Sequence, residues 1–187
     1  MSDNNSCDFD ILTYGAAALR CKSRPVEQVT AEIRELVDKM LKTMYAHRGL
    51  GLAAEQVGRD ECLCIIDVPP DADDSTPPEL LEKNAAIPMP LVLLNPRIVA
   101  EAGFQTGQEG CLSFPEIFVQ VKRAMTVTVE YMDLDGQICR IEAAGLLSRA
   151  LQHEIDHLNG VLLVDRMSPV QKVALAGRLK RLKARKS

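Results

Sequence analysis

The chain has no tryptophan, and three Tyr and four Phe supply its only aromatic rings, 4% of 187 residues. So sparse a set argues against a base-stacking platform for single-stranded nucleic acid. The net charge is −4 at neutral pH, which gives no general attraction to phosphate backbones, and no sequence-specific nucleic acid partner is expected. No apolar run approaches the roughly 20 residues of a membrane span, so no membrane partner is expected. The first ten residues, Met1 to Asp10, lack a basic n-region, an apolar h-region and an Arg-rich amphipathic pattern, and no targeting peptide is expected there. The six cysteines, at 7, 21, 62, 64, 111 and 139, include no C-x-x-C pair. Without a secretory signal they read as reduced thiols, and a cytoplasmic location is expected. Cys62 and Cys64 fall two apart in the apolar run Cys62 to Val68 and share one face of a strand, as small core residues.

What remains is ordinary for one globular domain spanning 1–187, with 47% apolar and 26% charged residues. Histidine is scarce, with three in the chain. Two of the three stand in His153-Glu154-Ile155-Asp156-His157, an H-E-x-x-H motif. On a helix, positions i and i+4 share a face, so the two imidazoles can grip one metal ion while Glu154 reaches a water beside it. A metal acidifies such a water, and the motif predicts metal-assisted hydrolysis of an amide-like bond.

The third ligand is not local. Six residues after His157, where metzincin proteases place a histidine, stands Leu163. Beyond His157 the only acid is Asp165, which stays a minor candidate. His47, the six cysteines and upstream carboxylates are the others. Cys111 stands out, in Gln108-Glu109-Gly110-Cys111-Leu112-Ser113-Phe114-Pro115, where glycine before and proline after mark an irregular or strand-edge segment. A third stretch, Arg48 to Gly58, holds three glycines and the uncharged amide of Gln56, and permits close backbone approach to a ligand.

Gly49-x-Gly51-Leu52-Ala53-Ala54-x-Gln56-x-Gly58, Glu109-Gly110-Cys111-Leu112-Ser113 and Gln152-His153-Glu154-x-x-His157 resemble, in order, the three signature motifs of the peptide deformylase family. The resemblance runs from about residue 9 to the end. It implies that Cys111, His153 and His157 hold one metal, and that Glu154 is the general acid and base. It implies that Gln56 and the Leu112 N–H stabilise an oxyanion. The backbones of Leu50, Gly51 and Gly110 would pair with an extended peptide, and Glu109 would support the site. Leu50, Leu146 and the His153 ring are plausible walls of a methionine slot. The implied reaction removes the N-formyl group from N-formylmethionyl nascent chains. Fe(II) is the implied natural metal, and Zn(II), Ni(II) and Co(II) also suit thiolate and imidazole ligands. Two positions depart from the family pattern. Position 55 is Glu where Pro or Thr is common, and position 118 is Phe where many members carry Arg. Glu109 then needs another cation, either Arg149 or Arg123.

Apolar periodicity predicts a helix from Thr30 to His47, ended by glycines 49 and 51. Strands are expected at Cys62–Val68, at Leu91–Leu94 and Ile98–Ala100 around Asn95-Pro96, and at Met125–Tyr131, with a hairpin through Asp135-Gly136 back to Ile138–Ile141. Pro69 to Pro90 holds six of the ten prolines and reads as a surface loop with a helical turn near Glu79 to Glu82. The motif helix is expected from Gly145 to Leu158. A last amphipathic helix starts at Ser168-Pro169, with Val173, Leu175, Leu179 and Leu182 as its apolar face. No acid follows Asp165, whereas Lys172, Arg178, Lys180, Arg181, Lys183, Arg185 and Lys186 are basic. This end is either a solvated helix whose cations suit the macrodipole or, by resemblance to some bacterial deformylases, a ribosome contact. The fold class is α+β, with mixed or antiparallel sheets packed around the motif helix. An endopeptidase and a non-catalytic ribosome-associated relative are the competing readings. The first lacks its usual downstream ligand. The second is opposed by the presence of every chemical residue of the motifs.

Overall fold

The computed structural model describes residues 8–69, 72 and 76–184. The N-terminal stretch through residue 7, residues 70, 71 and 73–75 of the proline-rich loop, and Arg185 and Lys186 of the basic end lie outside the described residues. In chain order the elements are α1 (Ala31–Ala46), β1 (Gly51–Ala53), β2 (Leu63–Ile66), α2 (Pro78–Ala85), β3 (Leu91–Ala102), β4 (Gln105–Gly110) and β5 (Phe118–Arg123). β6 (Thr126–Met132), β7 (Ile138–Ala144), α3 (Gly145–Leu158), α4 (Leu163–Arg166) and α5 (Pro169–Ala184) follow.

Five strands form one antiparallel sheet in the order β1-β2-β3-β6-β7, and β4 pairs with β5 in a separate two-stranded sheet. α1 and α3 cover opposite faces of the larger sheet. That explains the unbroken apolar run of β2. Leu63 and Ile65 meet Leu36, Val37 and Met40 of α1, while Cys64 and Ile66 meet Leu147, Leu151 and Ile155 of α3. Each fully buried Leu or Ile of these layers contributes roughly 1.5–3 kcal/mol. Thr30 caps α1 by accepting from the Ile33 N–H, satisfying one of the donors that a helix start leaves open.

Three expectations change. β3 is one strand, not two, and runs through Asn95-Pro96. Proline cannot donate to the ladder, so the register shifts between Leu94 and Arg97. Asn95 takes φ 51° there, and its side-chain amide bonds the Val26 N–H at 2.8 Å and the Val26 carbonyl at 2.7 Å. The turn near Glu79 is an eight-residue helix, α2, whose Asn84 side chain bonds both the N–H and the carbonyl of Ala144. On α5, Leu175, Leu179 and Leu182 pack with Leu19, Phe114 and Val119 as expected, but Val173 is 79% exposed. The packed face of α5 is Leu175, Leu179 and Leu182, and Val173 lies outside it.

α3 starts directly after β7 at Gly145, which takes φ 58°, a conformation that costs glycine little. One face of α3 is sealed on the large sheet. The other carries Leu146, Arg149, Ala150, His153 and Glu154 toward β4 and the Gly49–Gln56 segment, with His157 beside Cys111.

Candidate active site

Cys111, His153 and His157 converge, with one ligand atom of each within 4.8 Å of the others. Cys111 Sγ lies 3.2 Å from His157 Nε2. His153 Nδ1 donates to Glu109 Oε2 at 3.0 Å, which leaves its Nε2 free to bind a metal. A thiolate and two imidazole nitrogens suit a divalent transition metal, and three protein ligands leave a position open for chemistry. The residues therefore fit a metal. His47 lines the cavity rim outside the cluster. Asp165 points elsewhere, pairing with Arg20 and accepting from the Leu162 N–H.

Glu109 is held by Arg123, whose Nε and Nη2 donate at 2.9 and 3.0 Å. Of the two cations the sequence left open, Arg123 is the partner. Its Nη1 donates to Asp156, which also takes the guanidinium of Arg166. Burial penalises the Glu109 carboxylate, but hydrogen bonds from His153 and Arg123 and the charge of Arg123 outweigh it and hold the pKa down to about 2. Sequence reasoning missed Asp156 and Arg166. Asp156 lies inside the motif, at a position that the H-E-x-x-H pattern treats as free.

Glu154 has the opposite surroundings. It is buried, and among the described residues its Oε2 has no partner. Burial pushes its carboxyl up to about 7, against the opposing charges of His153 and Arg123. A side chain at Gly51 would collide with this carboxyl, so the glycine makes room for the acid.

Gln56 Oε1 accepts from the Ala53 N–H at 2.9 Å, which fixes the amide orientation. Its Nε2 then faces Ser113 Oγ at 3.1 Å and Cys111 Sγ at 3.5 Å. Ser113 was not singled out as a site residue, although it closes the second motif. The Leu112 N–H makes no hydrogen bond among the described residues. Glu55, the departure from the family pattern, is 2% exposed, and among the described residues neither carboxylate oxygen has a partner. Burial raises its pKa to about 8.

These groups surround a cavity of about 480 Å³, lined also by Leu50, Gly51, Gly110, Leu112 and Leu146. Among the described residues β4 pairs on one side only, with β5. Its other edge is open to an added strand. Across from it the Leu50 carbonyl is taken by the Asp67 N–H at 2.9 Å, so the Leu50 N–H is its remaining backbone group. Phe118 is 63% exposed, and its ring covers Gly110 where a side chain would otherwise stand.

The sequence model of the polypeptide deformylase family matches residues 9–173. A peptide deformylase of Synechococcus sp. (strain RCC307) is 44% identical over 173 residues, covering 92% of this chain and 79% of that protein. The crystal structure of the Ehrlichia chaffeensis peptide deformylase superposes with a TM-score of 0.82 at 37% identity, covering 92% of this chain and 95% of that one. A Synechococcus elongatus deformylase in complex with actinonin superposes with a TM-score of 0.79 at 39% identity, over 92% and 89% of the two chains. With its α+β fold and its Cys-His-His cluster, this chain belongs to the polypeptide deformylase family, the metallo-hydrolases that remove the N-formyl group from nascent polypeptides.

Proposed function

We propose that residues 1–187 act as one catalytic domain in which Cys111, His153 and His157 hold a single divalent metal and Glu154 moves the proton. The observation that carries this reading is the unpartnered, buried Glu154 carboxyl beside three converging ligands. A metal bound there supplies an electrophile that acidifies water and polarises a carbonyl.

The chain's own groups do the rest. Glu154, whose pKa near 7 suits a proton carrier at neutral pH, takes a proton from the attacking water. It later delivers that proton to the departing amine nitrogen, so that water and formamide become formate and a free N-terminus. Gln56 Nε2 and the Leu112 N–H receive the oxyanion, each worth about 2.7–4 kcal/mol when aimed at developing charge. Glu109 fixes the His153 ring. The substrate adds as a strand between the open edge of β4 at Gly110 and the Leu50 N–H, beside Gly51. Its methionine side chain lies against Leu146, Leu50 and the His153 ring.

Fe(II) is the metal we assign, with Zn(II), Ni(II) and Co(II) as substitutes. The test is formate release from formyl-Met-Ala-Ser by protein loaded anaerobically with Fe(II), beside Glu154→Ala with the same metal. Release by the wild type alone is expected, with loss in air for the iron form and protection by nickel. No release with one metal bound would reject an active deformylase.

The enzyme is assigned to the cytoplasm and acts on nascent chains. No helix among the described residues is long and apolar enough to cross a membrane. Lys172, Arg178, Lys180, Arg181 and Lys183 of α5 are exposed, which supports a contact with ribosomal RNA. Replacing Lys180, Arg181 and Lys183 with Gln should weaken salt-sensitive co-sedimentation with ribosomes. Undiminished co-sedimentation would sink the contact.

A further inference from the structure

We infer that Arg149 is a specificity-determining residue that reads the thioether sulfur of the substrate's methionine, an assignment that rests on the deformylase reading above. Leu146, Arg149, Ala150 and His153 fall at i, i+3, i+4 and i+7 on α3, and all four line the cavity. Arg149 therefore belongs to the same wall as the apolar residues that bound the methionine slot. Its guanidinium crosses from α3 to β4 and lies over Gly107, in the space a Cβ there would occupy.

Nothing among the described residues answers this guanidinium. Its Nε is buried without an acceptor, and among the described residues Arg149 makes no hydrogen bond or ion pair. The carboxylate of Glu109 is already engaged by Arg123 and His153. A partly buried cation with donors in a fixed fork and no acceptor is the exception in a folded protein. It is explained if the ligand brings the acceptor. In an extended substrate the main-chain acceptors lie along the strand edge, while the side chain stands out of the strand toward the helix that walls its slot. The only lone pairs in a methionine side chain are on sulfur. The slot is apolar along Leu146 and Ala150, so a donor on its wall separates methionine from norleucine, which has the same length and no acceptor.

The test compares kcat/KM for formyl-Met-Ala-Ser and formyl-norleucyl-Ala-Ser in the wild type, Arg149→Leu, Arg149→Lys and Gly107→Ala. The wild type should prefer methionine by about fivefold, the scale of one ordinary net hydrogen bond. In Arg149→Leu the ratio should fall to near one. Arg149→Lys should restore part of it. Gly107→Ala, which displaces the guanidinium without removing it, should lower the ratio as well. Calorimetric binding of Met-Ala-Ser and norleucyl-Ala-Ser should lose its discrimination in parallel in Arg149→Leu. A ratio unchanged in Arg149→Leu, whether or not both rates fall together, would overturn the assignment while leaving deformylation intact. Failure of the wild type to release formate from either peptide would overturn the deformylase reading and this inference with it.

Discussion

Glu109 and Glu154 are both buried carboxyls beside the same Cys-His-His cluster, and they live under opposite conditions. On the β4 side, Glu109 is saturated. Arg123 grips both of its oxygens and the His153 ring donates to one of them, so it stays ionised down to about pH 2. On the β1 side, Glu154 fits into the space left by Gly51, has one oxygen without a partner, and titrates near 7. The difference separates two jobs. A carboxylate whose charge never changes can orient a ligand and set its tautomer. A carboxyl that is costly to ionise and close to neutrality can give and take a proton. One fold supplies both by placing an arginine on one side and withholding it on the other.

Removing the mobile proton should have the largest effect. Glu154→Ala is expected to lower kcat by about a thousandfold, within the range of general acid–base contributions, while the metal content, read by elemental analysis, stays at one. Breaking the fixed side comes next. Arg123→Leu leaves Glu109 buried without its main counter-charge, which should cost about 3–5 kcal/mol in urea unfolding. Because His153 loses its anchored partner, metal affinity measured against a chelator should fall about 10- to 100-fold. Wild-type affinity in that variant would show that Glu109 does not orient His153.

The smallest expected effect sharpens the comparison with a carboxyl that has neither job. Glu55 is buried, unpartnered and raised from 4.5 to about 8. The folded protein thus holds a proton that the unfolded chain releases. Stability from this group is complete below about pH 4.5 and is lost as pH rises toward about 8. Glu55→Gln should therefore flatten the decline and be roughly 2–4 kcal/mol more stable near pH 8. A decline equally steep in the variant would place its source elsewhere.

Some of this was legible residue by residue. The alternation of Val127, Val129 and Tyr131 and the stripe of Ile33, Leu36, Val37, Met40 and Met44 became the buried faces of β6 and α1. β5 is legible too. Phe118 to Arg123 alternates outward and inward, with Val119 and Val121 buried. β4 was not, because Gln-Thr-Gly-Gln-Glu-Gly carries no apolar period. Only its pairing with β5 makes it a strand. The same limit applies to Val173, which fits the helical period of α5 yet faces solvent, since a period names a face without saying how wide the partner is.

The sequence by itself determined the motif. His153, Glu154 and His157 are related by one helical turn, a local geometry that any helix enforces. It also marked Cys111 and Gln56 as chemically available through their glycine-rich settings. The resemblance already pointed to Cys111, and the tertiary structure brings it, not His47 or Asp165, to the two histidines; that Arg123 rather than Arg149 holds Glu109, and that burial pushes the Glu154 carboxyl up, came from the fold alone. Each of these depends on which distant elements meet across the α3 interface and on how much water they exclude. Charge partners and desolvation act through space, and spacing along the chain does not encode them.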